Sequence, residues 1–430
     1  MPFHDICILG AGPGGATAAL HLARAGQPCL LLDRAAFPRD KVCGDALSGK
    51  VLAELKRIDE TLLQRLPTLP WQVASWGIDF FAPNGRRLSV PFTPGFNKAT
   101  NSAAGYVAKR LDFDNFLVEE VRRQPAITFR ENVDVAHTER TPTGGWRLTD
   151  KAGQEVATCR LLLVANGAQS AFVRQVAGHE LLPAHHCAGL RAYYEGVAGL
   201  SPDNFIELHF IEDFLPGYLW VFPLPNGGAN VGVGMLSQAV ADKKINLRQR
   251  FEEILATHPA LAPRFAQAQR QGPIRGFGLP LGSRHQSLSG AGYLLLGDAG
   301  SLIDPFTGEG ISHAMVSGRH AANWAAQAVA KDDCSSEFLR NYDAAVYNRL
   351  GQELRVSRMM QRLLDYPSLF NFVANRAANN PTLAETLSMM FVDIDLRARL
   401  KQPSFYLQLL FGGKKRTLLR AEQGSASKRG

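Results

Sequence analysis

His4–Gly15 reads HDICILGAGPGG: an apolar run, a glycine turn and the small residues that open a helix. Gly10, Gly12 and Gly15 match the G-x-G-x-x-G spacing of a dinucleotide-binding turn. The first glycine permits the tight turn, the second lets backbone approach a pyrophosphate, and the third lets helix pack on strand. Pro13 and Gly14 then sit at a positive helix N-terminus facing the phosphates. A second apolar strand, Cys29–Leu32, ends in Asp33-Arg34. Asp33 falls about twenty residues past the glycines, where a ribose hydroxyl needs an acceptor. The fold class expected is α/β, with a Rossmann-like domain at its head.

A second glycine-rich stretch, Tyr293–Ala322, reads YLLLGDAGSLIDPFTGEGISHAMVSGRHAA. It is again an apolar strand, a glycine turn and a helix start. Nicotinamide enzymes need no such late element, whereas flavoproteins that bind FAD in an extended form do. The pair therefore predicts FAD. Reduced flavin carries negative charge near N1 and O2. A helix beginning near Gly308, Glu309, Gly310 and Ile311 stabilises an anion there.

The composition narrows the class. The chain has 430 residues, 46% hydrophobic and 20% charged, enough for a sizeable core and two or three structural units. No apolar run approaches the roughly 18 to 20 residues of a spanning helix. The N-terminus enters a strand carrying Asp5 at once, without the regions of a signal peptide. Six cysteines are scattered without a C-x-x-C pair, which argues against a zinc site or disulfide framework and fits a reducing cytosol. The net charge is +8, and Leu396–Gly430 alone carries nine basic residues and one acidic, Glu422. The basic excess is thus a local tail, and no nucleic-acid module is legible.

Along the chain, residues 50–66 read as helical, and 71–99 as strands with turns. Phe113, Phe116, Leu117 and Val121 mark one face of a helix inside Gly105–Arg123. Residues 185–236 are β-rich, 245–271 helical, and the remainder after Ser312 mainly helical. This predicts a discontinuous dinucleotide domain (1–70, 100–184 and 275–330) and an inserted β-sheet substrate domain (71–99 and 185–274). A C-terminal helical region with a basic tail covers 331–430. His185-His186, with no partner at ligand spacing, reads as a solvated loop, and no metal site is expected.

These motifs resemble the geranylgeranyl reductase family, within the superfamily that includes para-hydroxybenzoate hydroxylase and the flavin halogenases. The resemblance runs over most of residues 1–330. It rests on the two glycine elements, on Pro38-Arg39-Asp40-Lys41-Val42-Cys43-Gly44, and on Tyr218-Leu219-Trp220-Val221-Phe222-Pro223 followed by Asn230-Val231-Gly232-Val233-Gly234. It implies that Asp298, after Gly297, binds the ribityl chain. It also implies that Pro305 and Gly308–Ile311 lie at the pyrimidine end, and that Arg39, Cys43, Gly44 and Arg110 lie near the flavin. Asn166-Gly167 stands where related hydroxylases carry Asp-Gly, which changes the charge at the pyrophosphate. No second G-x-G-x-x-G exists, so NAD(P)H either binds transiently without its own domain or is replaced by another donor.

The activity implied is reduction of carbon–carbon double bonds in an isoprenoid or prenyl-lipid chain. Cys43, Tyr218 and Trp220 are the candidate catalytic residues. Read alone, Cys43 is an ordinary buried thiol, and the aromatic pair is core packing. Phe80, Phe81, Phe92, Phe96, Phe205, Phe210 and Phe214 are expected as wall material. The alternative is a flavin-dependent monooxygenase or halogenase acting on an aromatic or polyketide-type substrate. Against the halogenase, Tyr218 and Phe222 replace the Trp and Ile of W-x-W-x-I-P. The C-terminal cluster Phe405, Tyr406, Leu407, Leu409, Leu410 and Phe411, followed by Lys414, Lys415 and Arg416, is expected either to rest on the inner face of a membrane or to pack on the protein's own body.

Overall fold

In the computed structural model, residues 3–93 and 95–378 are described. The contiguous apolar runs become a parallel sheet buried on both faces. Its strands lie in the order Tyr293–Leu295, Glu155–Val164, Phe3–Leu9, Cys29–Leu32, Ile127–Arg130. Ile8 stands in register with Leu31 on one side and Leu163 on the other. A short antiparallel extension, His137–Arg140 and Trp146–Thr149, joins through Glu155–Val164. The helix Arg110–Arg122 packs Phe113, Phe116, Leu117 and Val121 into the core, as their spacing predicts.

A second sheet of seven strands runs in the order Gln269–Pro280, His186–Glu195, Gly228–Leu236, Tyr218–Pro223, Ile206–His209, Gly77–Phe81, Arg87–Pro91. Side chains alternate across it. Leu219, Val221, Val231 and Val233 bury against Phe251, Ile254 and Leu255 of the helix Leu247–Thr257. Trp220 and Phe222 point to the opposite face, with Ile78, Phe80, Leu208 and Phe306. Leu364, just past the helix Ser336–Leu363, packs there too.

Several expectations change. Gln269–Pro280 pairs with His186–Glu195 as far as Pro280, so the second sheet crosses the boundary expected at residue 274. Gln72–Ser75 leaves that sheet to pair with Gly105–Ala108, which also pairs with Ala46–Leu47. The helix expected over 50–66 breaks at Asp59, whose side chain accepts from the Thr61 N–H and caps a new helix, Glu60–Arg65. His185 and His186 are half-buried rather than solvated, bonded through Nδ1 to Ser283 Oγ (2.7 Å) and Ser237 Oγ (2.6 Å). No helix among the described residues is long and apolar enough to cross a membrane. The apolar-basic cluster at 405–416 lies outside the described residues.

Two helices fix the centre of the molecule: Pro13–Arg24 and Ile311–Ala330. They cross backbone to backbone. A Cβ at Gly318 would overlap the Gly14 carbonyl oxygen, and one at Gly14 would stand 3.2 Å from the Ala314 oxygen. Overpacking of this kind costs about 1–3 kcal/mol. Gly318→Ala should therefore lower the denaturant midpoint by an equivalent amount with an unchanged m-value. An unaltered midpoint would show that the two helices have slack at this crossing.

Candidate functional site

The glycine turn is held by its neighbours before any ligand is considered. Gly10, at φ +96°, donates its N–H to the Leu32 carbonyl (2.7 Å). Asp33 accepts from the Ala11 N–H through Oδ2 (2.7 Å) and from the Ala35 N–H through Oδ1 (2.9 Å). Asp33 thus ties the turn to the second strand. The groove in front spans about 2020 Å³ including its open mouth. Gly10, Gly12, Pro13, Gly14, Asp33, Arg34, Arg39, Asn166, Gly167, Gly297 and Asp298 line it.

A Cβ on Gly12 would meet nothing nearer than Arg39 Nη2 at 3.5 Å. Gly12 therefore faces open space at a helix N-terminus, with guanidinium close by. That is the cradle a pyrophosphate needs, and FAD fits the residues present. Two expected residues lie elsewhere. Gly15 packs against the Gly10 carbonyl, where it sets helix against strand. Pro305 is buried, and its carbonyl accepts from Gln361 Nε2 (2.7 Å).

A cavity of about 1130 Å³, its open mouth included, continues from the groove, sharing Pro13, Lys41, Arg110, Phe277, Asp298 and Ala314 with it. It receives Cys43, Gly44, Tyr218 and Trp220, together with Gly308, Glu309, Gly310 and Ile311 at the start of the second helix. Ile206, Leu208, Phe222 and Leu279 make its apolar walls. Not one of the seven phenylalanines expected as wall material is among the lining residues. Phe80, Phe92 and Phe210 pack behind Trp220, Phe214 lies under the opposite face of the sheet, and Phe96 and Phe205 pack with Trp76. Phe81 stacks on His209. Strand alternation sends neighbours to opposite faces, so counting aromatics does not locate a wall.

One asparagine joins the motifs. Trp220 Nε1 donates to Asn230 Oδ1 (2.8 Å), and Asn230 Nδ2 donates to the Cys43 carbonyl (2.8 Å) and to Asp45 Oδ2 (2.7 Å). Tyr193 also donates to Asp45 Oδ2 (2.8 Å). Arg110 grips Asp114 with two bonds, 2.6 and 2.7 Å, while Arg39 bonds the same carboxylate and Lys41 pairs with Asp298 (2.8 Å). Burial pushes the Cys43 thiol up, against the opposing pull of Arg110. Burial likewise pushes Asp45 up to about 6, despite Arg191 and its hydrogen-bond donors.

Glu309, just before the helix Ile311–Ala330, is held by side chains. It accepts from Ser48 Oγ and Ser312 Oγ and lies 3.5 Å from Lys50 Nζ. Lys50 also pairs with Glu353, which faces His313 Nε2 at 3.5 Å. Glu309, His313 and Glu353 offer donor atoms within 4.8 Å of one another, and the Lys50 ammonium supplies positive charge among them. Burial opposes the charge on Lys50, His313 and Glu353. Even so, Glu353 is held well below the usual carboxylate range by Lys50, and His313 is raised by Glu353. The Lys50–Glu353 pairing escaped sequence reading, since residues so far apart leave no local signal. Asn230 stood inside a quoted motif, and Asp45 one residue past another, without an assigned role.

The geometry at Gly12 gives a direct check. Its φ of −68° suits any residue, so Gly12→Val should fold with a midpoint close to wild type. The wild-type protein should purify yellow with non-covalent FAD, and the variant colourless. Full flavin absorbance in Gly12→Val would place the pyrophosphate elsewhere.

Comparison with known proteins agrees with this geometry. The family described as FAD binding domain matches residues 4–187. Menaquinone reductase of Mycobacterium tuberculosis (strain ATCC 25618 / H37Rv) is 28% identical over 389 residues, 84% of each chain. Digeranylgeranylglycerophospholipid reductase 2 of Methanopyrus kandleri is 28% identical over 392 residues, 89% of this chain and 90% of its own. A geranylgeranyl bacteriochlorophyll reductase-like crystal structure from Thermoplasma acidophilum superposes with a TM-score of 0.78 at 22% identity, covering 95% and 98% of the two chains, so the fold is shared. The chain thus has an FAD-binding domain at its head and, along most of its length, is similar to reductases named for prenyl lipids.

Proposed function

We propose that the protein reduces carbon–carbon double bonds in the isoprenoid chain of a prenyl lipid. The observation that carries this reading is the cavity. Its aromatic and aliphatic walls run up to the Cys43-Gly44 turn and the Gly310-Ile311 helix start, so an apolar chain and a flavin ring meet in one place. Both curated relatives are named for lipids that carry isoprenoid chains. FAD, when bound, supplies the hydride. The residues supply position and dryness, because an unpolarised alkene offers little charge for a protein to hold. Trp220 is fixed through its indole N–H by Asn230, and Tyr218 through its hydroxyl by the Thr307 carbonyl (3.1 Å). Both therefore present rigid faces to the chain.

Cys43 is the proton donor in this reading. Burial keeps it a neutral thiol at rest. Once its proton has passed to the second alkene carbon, the Arg110 guanidinium and the Asp45 backbone N–H are placed to hold the thiolate. The halogenase alternative is disfavoured because Lys41, the lysine that lines the cavity, is committed to an ion pair with Asp298. NAD(P)H is the proposed donor, meeting the flavin transiently rather than occupying a second dinucleotide domain.

The substrate class also points to a membrane surface. The last described helices, Ser336–Leu363 and Pro367–Ala378, expose Met359 and Phe372 beside the exposed Arg355, Arg362 and Arg376. Tyr366, between them, is exposed too. The basic tail adds cations worth on the order of 1 kcal/mol each near anionic lipid.

Two experiments test the reading. Anaerobically reduced protein mixed with a prenyl lipid should add two hydrogens per double bond, read by mass. Cys43→Ala should keep its FAD and slow this step on the order of 10²-fold, with flavin reduction by the donor little changed. Half-reactions slowed alike, or not at all, would return Cys43 to packing. Removing residues 403–430 should cut salt-sensitive co-sedimentation with anionic liposomes several-fold, and undiminished binding would rule the tail out as the anchor.

A further inference from the structure

Asp45 is a carboxyl that the hydride step leaves unused. It is fully buried two residues after Cys43, in a left-handed backbone conformation (φ +70°), and it lines the same cavity. Three donors fix it: Tyr193 OH and Asn230 Nδ2 on Oδ2, and the Arg110 backbone N–H on Oδ1 (3.3 Å). Asn230 holds the Cys43 carbonyl with the same amide nitrogen, so the carboxyl and the thiol turn are pinned as one unit. Tyr193 is half-buried, its ring lying between the Arg191 guanidinium (4.0 Å) and the Lys109 ammonium (4.8 Å). Its hydroxyl thus reaches inward to Asp45 while its half-buried ring stands beside two cations, the buried Arg191 and the half-buried Lys109. Arg191 itself is tied to Asp40 (2.9 Å).

We infer that Asp45 and Tyr193 form a proton-supply pair that resets Cys43 between turnovers. The inference rests on the reading of Cys43 as proton donor. In each turnover two C–H bonds form, one from the hydride that FAD supplies and one from the Cys43 Sγ–H proton. Asp45 O–H then breaks and its proton returns to Sγ. The resulting carboxylate takes the Tyr193 proton, and Tyr193 takes one from solvent. With NAD(P)H as donor, two electrons and one hydrogen enter as the hydride that reloads the flavin and one proton enters from water; with dithionite, both protons come from water. Burial suits Asp45 to the task by raising its affinity for the proton toward neutrality.

Peptide-mapped alkylation of Cys43 by iodoacetamide reads the pair without turnover. A carboxylate beside a thiol disfavours the thiolate, so removing it lowers the thiol pKa. Asp45→Asn should speed alkylation about tenfold at pH 8, the equivalent of one unit. Tyr193→Phe, which leaves the carboxylate in place, should stay within about twofold. With dithionite-reduced, FAD-loaded protein and a prenyl lipid, both variants should lose about tenfold more in steady-state rate than in first-turnover rate. Tyr193→Phe removes a single hydroxyl and keeps the test decisive if Asp45→Asn folds poorly. Equal losses in both phases, or wild-type alkylation in Asp45→Asn, would overturn the supply pair alone. A wild-type first turnover in Cys43→Ala would instead overturn the proton-donor reading beneath it.

Discussion

The backbone crossing of Pro13–Arg24 over Ile311–Ala330 is the constraint on which the rest depends. Glycine at positions 14 and 318 lets two helices approach until carbonyl meets Cα, which no side chain would allow. That closeness sets their N-termini side by side, one at the groove and the other at the cavity. Two partial positive charges are therefore presented to one continuous groove and cavity. Ser317 strengthens the join, since its Oγ accepts from the Gly297 N–H (3.0 Å) and so fixes the second glycine turn to the same helix. Elements nearly three hundred residues apart become one site by this means. Everything between them is an insertion that has to return to where it left.

Asn230 performs the corresponding task for the inserted sheet. Its amide oxygen is used by Trp220 and its amide nitrogen by Cys43 and Asp45. An aspartate there would set a second carboxylate against Asp45, and a leucine would leave the Trp220 indole N–H buried and unpaired. The glycines around it follow from the same packing. A Cβ on Gly232 would run into the Trp220 ring across the strand pair. The spacing of the aromatic strand and the Asn-Val-Gly-Val-Gly strand therefore reads as one device: a large flat side chain, a hydrogen bond that orients it, and a gap that admits it.

What the sequence made legible was whatever repeats locally. The apolar runs at Ile6–Leu9 and Cys29–Leu32 read as buried strands because a glycine turn follows the first and Asp33 the second, and they pair in parallel. The face of Arg110–Arg122 was equally plain. Composition failed at the cavity wall, because Phe80 and Phe81 point to opposite sides and Phe214 belongs to a different core cluster. Asp45 was silent for another reason: a lone acidic residue after Cys-Gly has no period, and its meaning arises only when Tyr193 and Asn230 arrive from other strands. Gln269–Pro280 was misplaced because its Gly and Pro positions obscure the alternation that marks a strand.

The charges beneath the cavity make physical sense only as a set. Glu309 stands at the helix start where reduced flavin would place its negative charge, and alone it would oppose that charge. Lys50 lies against Glu309 and Glu353 together, with His313 on the far side of Glu353. Two carboxylates, one ammonium and an imidazole raised toward its charged form bring the cluster close to neutrality. The helix N-terminus then remains the leading positive feature at the flavin end. Loss of Lys50 would leave two buried carboxylates facing each other, a defect worth about 3–5 kcal/mol. The groove can thus be tuned for an anion while its apolar neighbour stays dry, because the opposing charges are cancelled locally rather than by water.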